Sequence, residues 1–184
     1  MVSEPSDEEL VARVVAAEDT AAFETLVRRH QSKVRNWLRQ LTRDAARADD
    51  LAQDTFIRAW QRLRTFEGRG KFASWVMKIA FNCFLQAKRR PDYGAAMAPR
   101  EPEDEVVVPF LESPDVDKML AVLGTDERHV MILCYAHGLS HGEVSAVLEL
   151  PLGTVKSHAQ RAKTKIRERF GLQTPAVRLA RSGR

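Results

Sequence analysis

Cysteine and tyrosine are scarce in this chain, with two of each in 184 residues, and it has no long hydrophobic run. Cys83 and Cys134 lie far apart, each inside an apolar helical pattern, which excludes a disulfide framework and suits buried thiols in a reducing compartment. No segment approaches the roughly 20 consecutive apolar residues that a membrane-spanning helix takes, so no membrane insertion is expected. The first residues carry Ser3, Glu4, Asp7 and Glu8 in place of a basic region followed by an apolar stretch, which argues against a secretory leader. These absences together predict a cytoplasmic protein, and the 44% hydrophobic content is enough for one or two small packed domains.

Acidic residues are also scarce in two long blocks. Residues 28–90 carry sixteen Lys or Arg against five acids, and residues 151–184 carry nine against Glu168 alone. Between them, residues 101–127 hold nine acids and only Lys118 as a base. Segregation of this kind predicts polyanion binding at two places, separated by a segment that DNA would repel.

The second basic block contains a two-helix pattern. Ser140 and Glu143 have capping-box spacing, and Leu139 and Val144 sit where a hydrophobic staple belongs. Pro151 ends that helix, Gly153 is expected to supply the turn, and Thr154 is expected to cap a longer second helix. On the second helix Val155, Ala159, Ala162 and Ile166 share one arc, while Lys156, Ser157, Gln160, Arg161 and Thr164 share the other. One arc packs, and the other has the polar and basic composition that contacts base edges and phosphates in a major groove. The pattern is a helix-turn-helix.

The first 90 residues read as helix throughout. Ser6 and Glu9 form a second capping-box pair, predicting a helix over about 7–18. Phe23, Leu26, Val27, His30, Val34, Trp37, Leu38 and Leu41 recur at three- and four-residue steps and predict a long helix over 21–42. Asp44 is placed to cap a third helix with Leu51, Ala52, Phe56, Ala59, Trp60 and Leu63 as its apolar members. After Gly68 and Gly70, a fourth helix is predicted over 72–89. From Pro91 to Pro114 five prolines, acids and small residues predict a linker, and helices should resume over 114–123 and 126–137. The expected fold is all-α, with a helical domain at 1–90, a flexible acidic linker at 91–113, a helix-turn-helix domain at 114–171 and a basic tail at 172–184 without regular structure.

Three pieces in this order, Asp50-Leu-Ala-Gln-Asp-Thr-Phe-Ile-Arg-Ala-Trp60, then Phe66-Glu-Gly-Arg-Gly-Lys-Phe-Ala-Ser-Trp75 with Ile79-Ala-Phe-Asn82, then Gly153-Thr-Val-Lys-Ser157, resemble a known family. The chain is similar to the extracytoplasmic-function group of bacterial RNA polymerase sigma factors over about residues 7–172. The resemblance implies a protein without catalytic residues or cofactor that directs core RNA polymerase to promoters and helps to melt them. It also implies that an anti-sigma factor masks its binding surfaces.

Asp50, Gln53, Asp54 and Arg58 form one polar stripe on the third helix. By resemblance this stripe docks on the clamp helices of the polymerase largest subunit. Two other readings stay open: a solvated face with internal ion pairs, and a divalent-metal site of a nuclease built on Asp50 and Asp54. The basic loop and its neighbouring aromatics suit unpaired DNA, since Arg69, Lys71 and Lys78 can follow phosphates while Phe66 or Phe72 flanks an extruded base. The resemblance places Phe66, Gly68, Arg69, Gly70, Lys71 and Asn82 against the opened non-template strand of the minus-ten element, whereas Trp75 and Ile79 fit the apolar stripe of the fourth helix and are expected in the core. It places Lys156, Ser157, His158, Gln160 and Arg161 on the minus-thirty-five duplex. His158 stands where many relatives have arginine, and Arg69, Gly70 and Gln86 also depart from the family pattern.

The 23-residue linker spans about 75 Å fully extended but averages about 26 Å as a free coil. Two helical turns of duplex measure about 70 Å. A platform that holds both domains is therefore expected, and core polymerase fits that role. The competing reading is an autonomous helix-turn-helix regulator that binds an operator without polymerase. His129, Cys134, His137 and His141 invite a metal reading, but Cys134 lies in an apolar run and His141 follows a glycine-containing break, so no metal site is expected.

Overall fold

Four of the described helices begin where a short polar side chain meets the first turn. The computed structural model describes residues 4–66, 71–90 and 114–171. Helix α1 (Asp7–Ala17) opens with Ser6 Oγ accepting the Glu9 N–H at 3.2 Å, while Glu9 Oε2 accepts the Ser6 N–H at 2.6 Å. Helix α2 (Thr20–Thr42) is capped by Asp19, which accepts the Ala22 N–H at 3.0 Å. That hydrogen bond and the Arg13 guanidinium hold the Asp19 carboxyl below its usual range. Helix α3 (Ala45–Arg62) is capped by Asp44 through the Arg47 N–H, and a 3-10 turn at Leu63–Thr65 follows. Helix α4 (Phe72–Lys88) starts after Lys71 without a side-chain cap.

The second half contains α5 (Pro114–Ala121) and α6 (Thr125–Met131), which continues as a π-helical turn at Ile132–Ala136. Helices α7 (His141–Leu148) and α8 (Leu152–Phe170) complete it. Among the described residues there is no strand. The expected linker at 91–113 and tail at 172–184 lie outside the described residues.

Helices α2, α3 and α4 pack in sequence with α1 laid along α2, and α6 and α7 pack on α8. Leu26, Val34, Trp37 and Leu38 of α2, Ala48 and Ala59 of α3, and Val76, Met77 and Ala80 of α4 have almost no solvent exposure. Val130, Leu133, Leu139, Val144, Val147, Val155, Ala159 and Ala162 do the same in the second half. The two halves touch through α4 and α7. Trp37 stands at the junction, with its ring centroid 6.5 Å from Phe81 of α4 and 5.3 Å, edge to face, from His129 of α6.

Two sequence expectations change in the helix-turn-helix. Helix α8 starts at Leu152 with Pro151 at its N-cap position, so Gly153 lies within the first turn and Thr154 is not the cap. The turn is made by Glu149, which takes a left-handed conformation at φ 56°. Pro151 explains the shift, because its fixed φ near −65° and missing N–H suit the start of a helix. Ser145 Oγ donates to the Leu150 carbonyl at 2.6 Å and braces the short connection. Trp60, expected among the apolar members of the third helix, is 37% exposed.

Candidate nucleic-acid interface

Helix α8 divides as its sequence predicts. Val155, Ala159 and Ala162 are buried, and Lys156, Ser157, Gln160 and Arg161 are exposed on the other side, with His158 half-buried between them. Helix α7, which packs on α8, opens with its own capping box, Glu143 Oε2 accepting the Ser140 N–H at 2.8 Å and Ser140 Oγ accepting the Glu143 N–H at 3.3 Å. Burial works against the Glu143 carboxylate, but the Ser140 hydrogen bonds and nearby Lys71 outweigh it and hold the carboxyl low.

Arg161 is not a loose surface side chain. Its Nη2 donates to His158 Nδ1 at 3.0 Å, and its Nε lies 3.6 Å from Oε1 of Glu127 on α6. Glu127 itself is buried. Its Oε2 accepts from Lys165 Nζ at 2.7 Å and from the Gly124 N–H at 3.1 Å. Lys165 is the main reason the Glu127 carboxyl sits below its usual range, against an opposing contribution from burial. Sequence reasoning missed Glu127, because its partners on α8 lie more than 30 residues further along the chain and no local pattern announces them.

In the first half, Lys71 is exposed, and Phe66 and Asn82 are half-buried. Phe72 is buried, and the rings of Phe66, Phe72 and Trp75 cluster with centroids 5.4 to 6.2 Å apart. Of the two rings suggested for flanking a base, only Phe66 retains exposure, because Phe72 fills the core against His30. Ile79 is buried, as expected, and Trp75 is only half-buried, packed against the core. Gly68, Arg69 and Gly70 lie outside the described residues. Lys78 faces the second half and lies 3.8 Å from Glu149.

The stripe on α3 is exposed at Asp50, Gln53 and Asp54. Arg58, half-buried, donates from Nη1 to Gln86 Oε1 of α4 at 2.6 Å. Ile57, 49% exposed, joins the stripe, one turn from Trp60. Asp50, Gln53, Ile57 and Trp60 line a groove of about 710 Å³ between α2 and α3, whose floor includes Phe23, Val27 and Phe56. The signal for Ile57 was present in the sequence as an apolar residue off the buried arc. Among the described residues no group of three or more His, Cys, Asp or Glu side chains is placed to hold a metal ion.

The model of sigma-70 region 2 matches residues 26–92, and that of sigma-70 region 4 matches residues 114–166. The chain belongs to the sigma-70 family. It is an RNA polymerase sigma factor of the extracytoplasmic-function type, which directs core polymerase to specific promoters and assists their melting. It is 30% identical over 183 residues to the RNA polymerase sigma-H factor of Pseudomonas aeruginosa, covering 90% of this chain and 94% of that protein. It is 33% identical over 179 residues to the ECF RNA polymerase sigma factor SigE of Mycolicibacterium smegmatis, covering 90% and 69%. The solved structure of the sigma factor RpoE in complex with the anti-sigma factor NepR from Bartonella quintana superimposes with a TM-score of 0.62 at 25% identity, covering 83% of this chain and 98% of that one. These relationships support a transcription initiation factor over the autonomous-regulator reading. No described helix of this sigma factor is long and apolar enough to cross a membrane.

Proposed function

We propose that the sigma factor divides its work among three surfaces. Helix α3 docks on core polymerase through Asp50, Gln53, Asp54 and Arg58, with Ile57 and Trp60 supplying the apolar contact, and Arg58 also ties α3 to α4. The segment around Phe66, Gly68, Arg69, Gly70 and Lys71, together with Asn82, holds bases of the melted non-template strand. Lys156, Ser157, His158, Gln160 and Arg161 read the minus-thirty-five duplex. The observation that carries this reading is the division of α8, where the buried arc leaves a polar and basic arc exposed next to a capped supporting helix. The protein contributes no bond chemistry of its own; the polymerase makes the RNA, and the factor works with it in the cytoplasm.

The exposed groove between α2 and α3 also suits an anti-sigma factor, since an apolar surface free in the isolated chain needs covering when polymerase is absent. Run-off transcription and open-complex formation with purified core polymerase, on a library of promoter fragments, test the assignment. Selective initiation only when both proteins are present supports it. Tight operator binding without polymerase, and no initiation with it, would overturn it.

A further inference from the structure

Arg161 has several rotatable bonds and a choice of destinations near DNA, since a guanidinium satisfies a phosphate as readily as a base edge. A side chain that wanders to phosphate contributes affinity without sequence preference. Discrimination therefore depends on what holds the guanidinium before DNA arrives. In this chain two groups do so from different directions: Glu127 Oε1 on α6 stands 3.6 Å from Nε, and His158 Nδ1 accepts from Nη2 at 3.0 Å. Of the five guanidinium N–H donors, one faces Glu127 and one is used by His158. Both hydrogens of Nη1 and the second of Nη2 remain for a bidentate contact to guanine.

Glu127 is well suited to act as an anchor. It is only 6% exposed, so DNA phosphates meet little of its charge, and Lys165 at 2.7 Å neutralises it. Its Gly124 N–H bond fixes the carboxylate to the start of α6, which gives the guanidinium a rigid reference outside the helix that carries it. Lys165 and Arg161 are one turn apart on α8, so the acid bridges two cations on the same flank.

We propose that Glu127, which makes no DNA contact, is a positioning residue that sets the base preference of the recognition helix by holding Arg161, with His158 as the second brace. This rests on the reading of α8 as the minus-thirty-five reader, and the test separates the two. Holoenzyme assembled from core polymerase and the full chain is given promoters randomised across the minus-thirty-five element, and bound sequences are counted for the wild type, E127Q, R161A, the double variant and K165Q. Gln keeps an acceptor for the Gly124 N–H and removes the charge that faces Arg161.

R161A is expected to flatten the preference at one base pair by roughly tenfold or more. E127Q should weaken it about threefold at that same pair and nowhere else, and should add nothing in the R161A background. K165Q leaves Arg161 as the remaining cation on Glu127, so the preference there should stay at least as strong as in the wild type. If R161A changes no base preference, the assignment of Arg161 as a reader fails. If R161A does and E127Q lowers occupancy evenly across the library, or K165Q flattens the same pair, Glu127 acts only by fastening α6 to α8 and the proposal is overturned. Thermal melting checks that E127Q folds, and K165Q decides the matter if it does not.

Discussion

Lys78 on α4 places its ammonium 3.8 Å from Glu149 Oε1 at the end of α7, so an ion pair joins the helix assigned to the melted strand to the helix-turn-helix. Both side chains are about half exposed, and pairs of this kind contribute less than about 1 kcal/mol. The junction is held instead by fully buried Trp37, whose ring meets Phe81 and His129. E149A should therefore change the unfolding free energy by less than about 1 kcal/mol and leave the radius of gyration unchanged. W37A should cost about 3 kcal/mol or more. Urea unfolding and small-angle scattering read both, and an expanded E149A protein would show that the ion pair, not the ring, closes the junction.

His129 and His137 lead to a pH prediction. Burial pulls each imidazole down to about 4, helped by Arg128 and Lys88 near His129, opposed there by Asp126, and helped by Lys33 near His137. The unfolded chain, with histidine near 6.5, takes up these protons first as pH falls. Stability is thus complete above pH 6.5 and declines toward pH 4, by about 2 kcal/mol for each histidine at pH 5. The lowered carboxyls of Asp19, Glu127 and Glu143 lose their contribution at lower pH, so comparing pH 7.5 with pH 5 isolates the imidazoles. Denaturant titrations should show this loss, and H129F should remove about half of it.

The Ser140 and Glu143 box orients the supporting helix of the DNA reader. S140A removes the acceptor for the Glu143 N–H and should cost about 1 kcal/mol. E143Q should cost less, since glutamine keeps an acceptor for the Ser140 N–H. Equal losses in urea midpoints would mean that the charge of Glu143, near Lys71, matters as much as the hydrogen bond.

The features legible in the sequence were those decided within one helical turn. Ser6 with Glu9, Asp44 and Ser140 with Glu143 cap the helices expected of them, because a cap needs only its own first turn. The split arcs of α8 follow from a period of 3.6 residues. The Glu149 turn was missed because a glycine nearby invited the special backbone angle, whereas Pro151 fixes where α8 begins. Arg58 lies on the stripe by its spacing, and its long side chain also reaches Gln86 on a neighbouring helix, a contact 28 residues away that spacing does not show. The hold of Glu127 on Arg161 is hidden for the same reason.

Ile57 separates docking from folding more cleanly than the acids around it. Its side chain is 49% exposed on the face that carries Asp50, Gln53 and Asp54, beside a groove floored by Phe23, Val27 and Phe56. An exposed isoleucine contributes little to the folded state, so I57D should change the unfolding free energy by less than about 0.5 kcal/mol. At an interface the same change buries a carboxylate against apolar surface, and the affinity for core polymerase should fall at least about tenfold. R58A has a mixed signature: it breaks the 2.6 Å bond to Gln86 between α3 and α4, so its effect should appear in stability, by about 1 kcal/mol, as well as in docking. Fluorescence-monitored titration of core polymerase with each variant, alongside urea unfolding, distinguishes the two residues. Unchanged affinity for I57D would place the polymerase contact elsewhere on the factor and leave the groove to another partner.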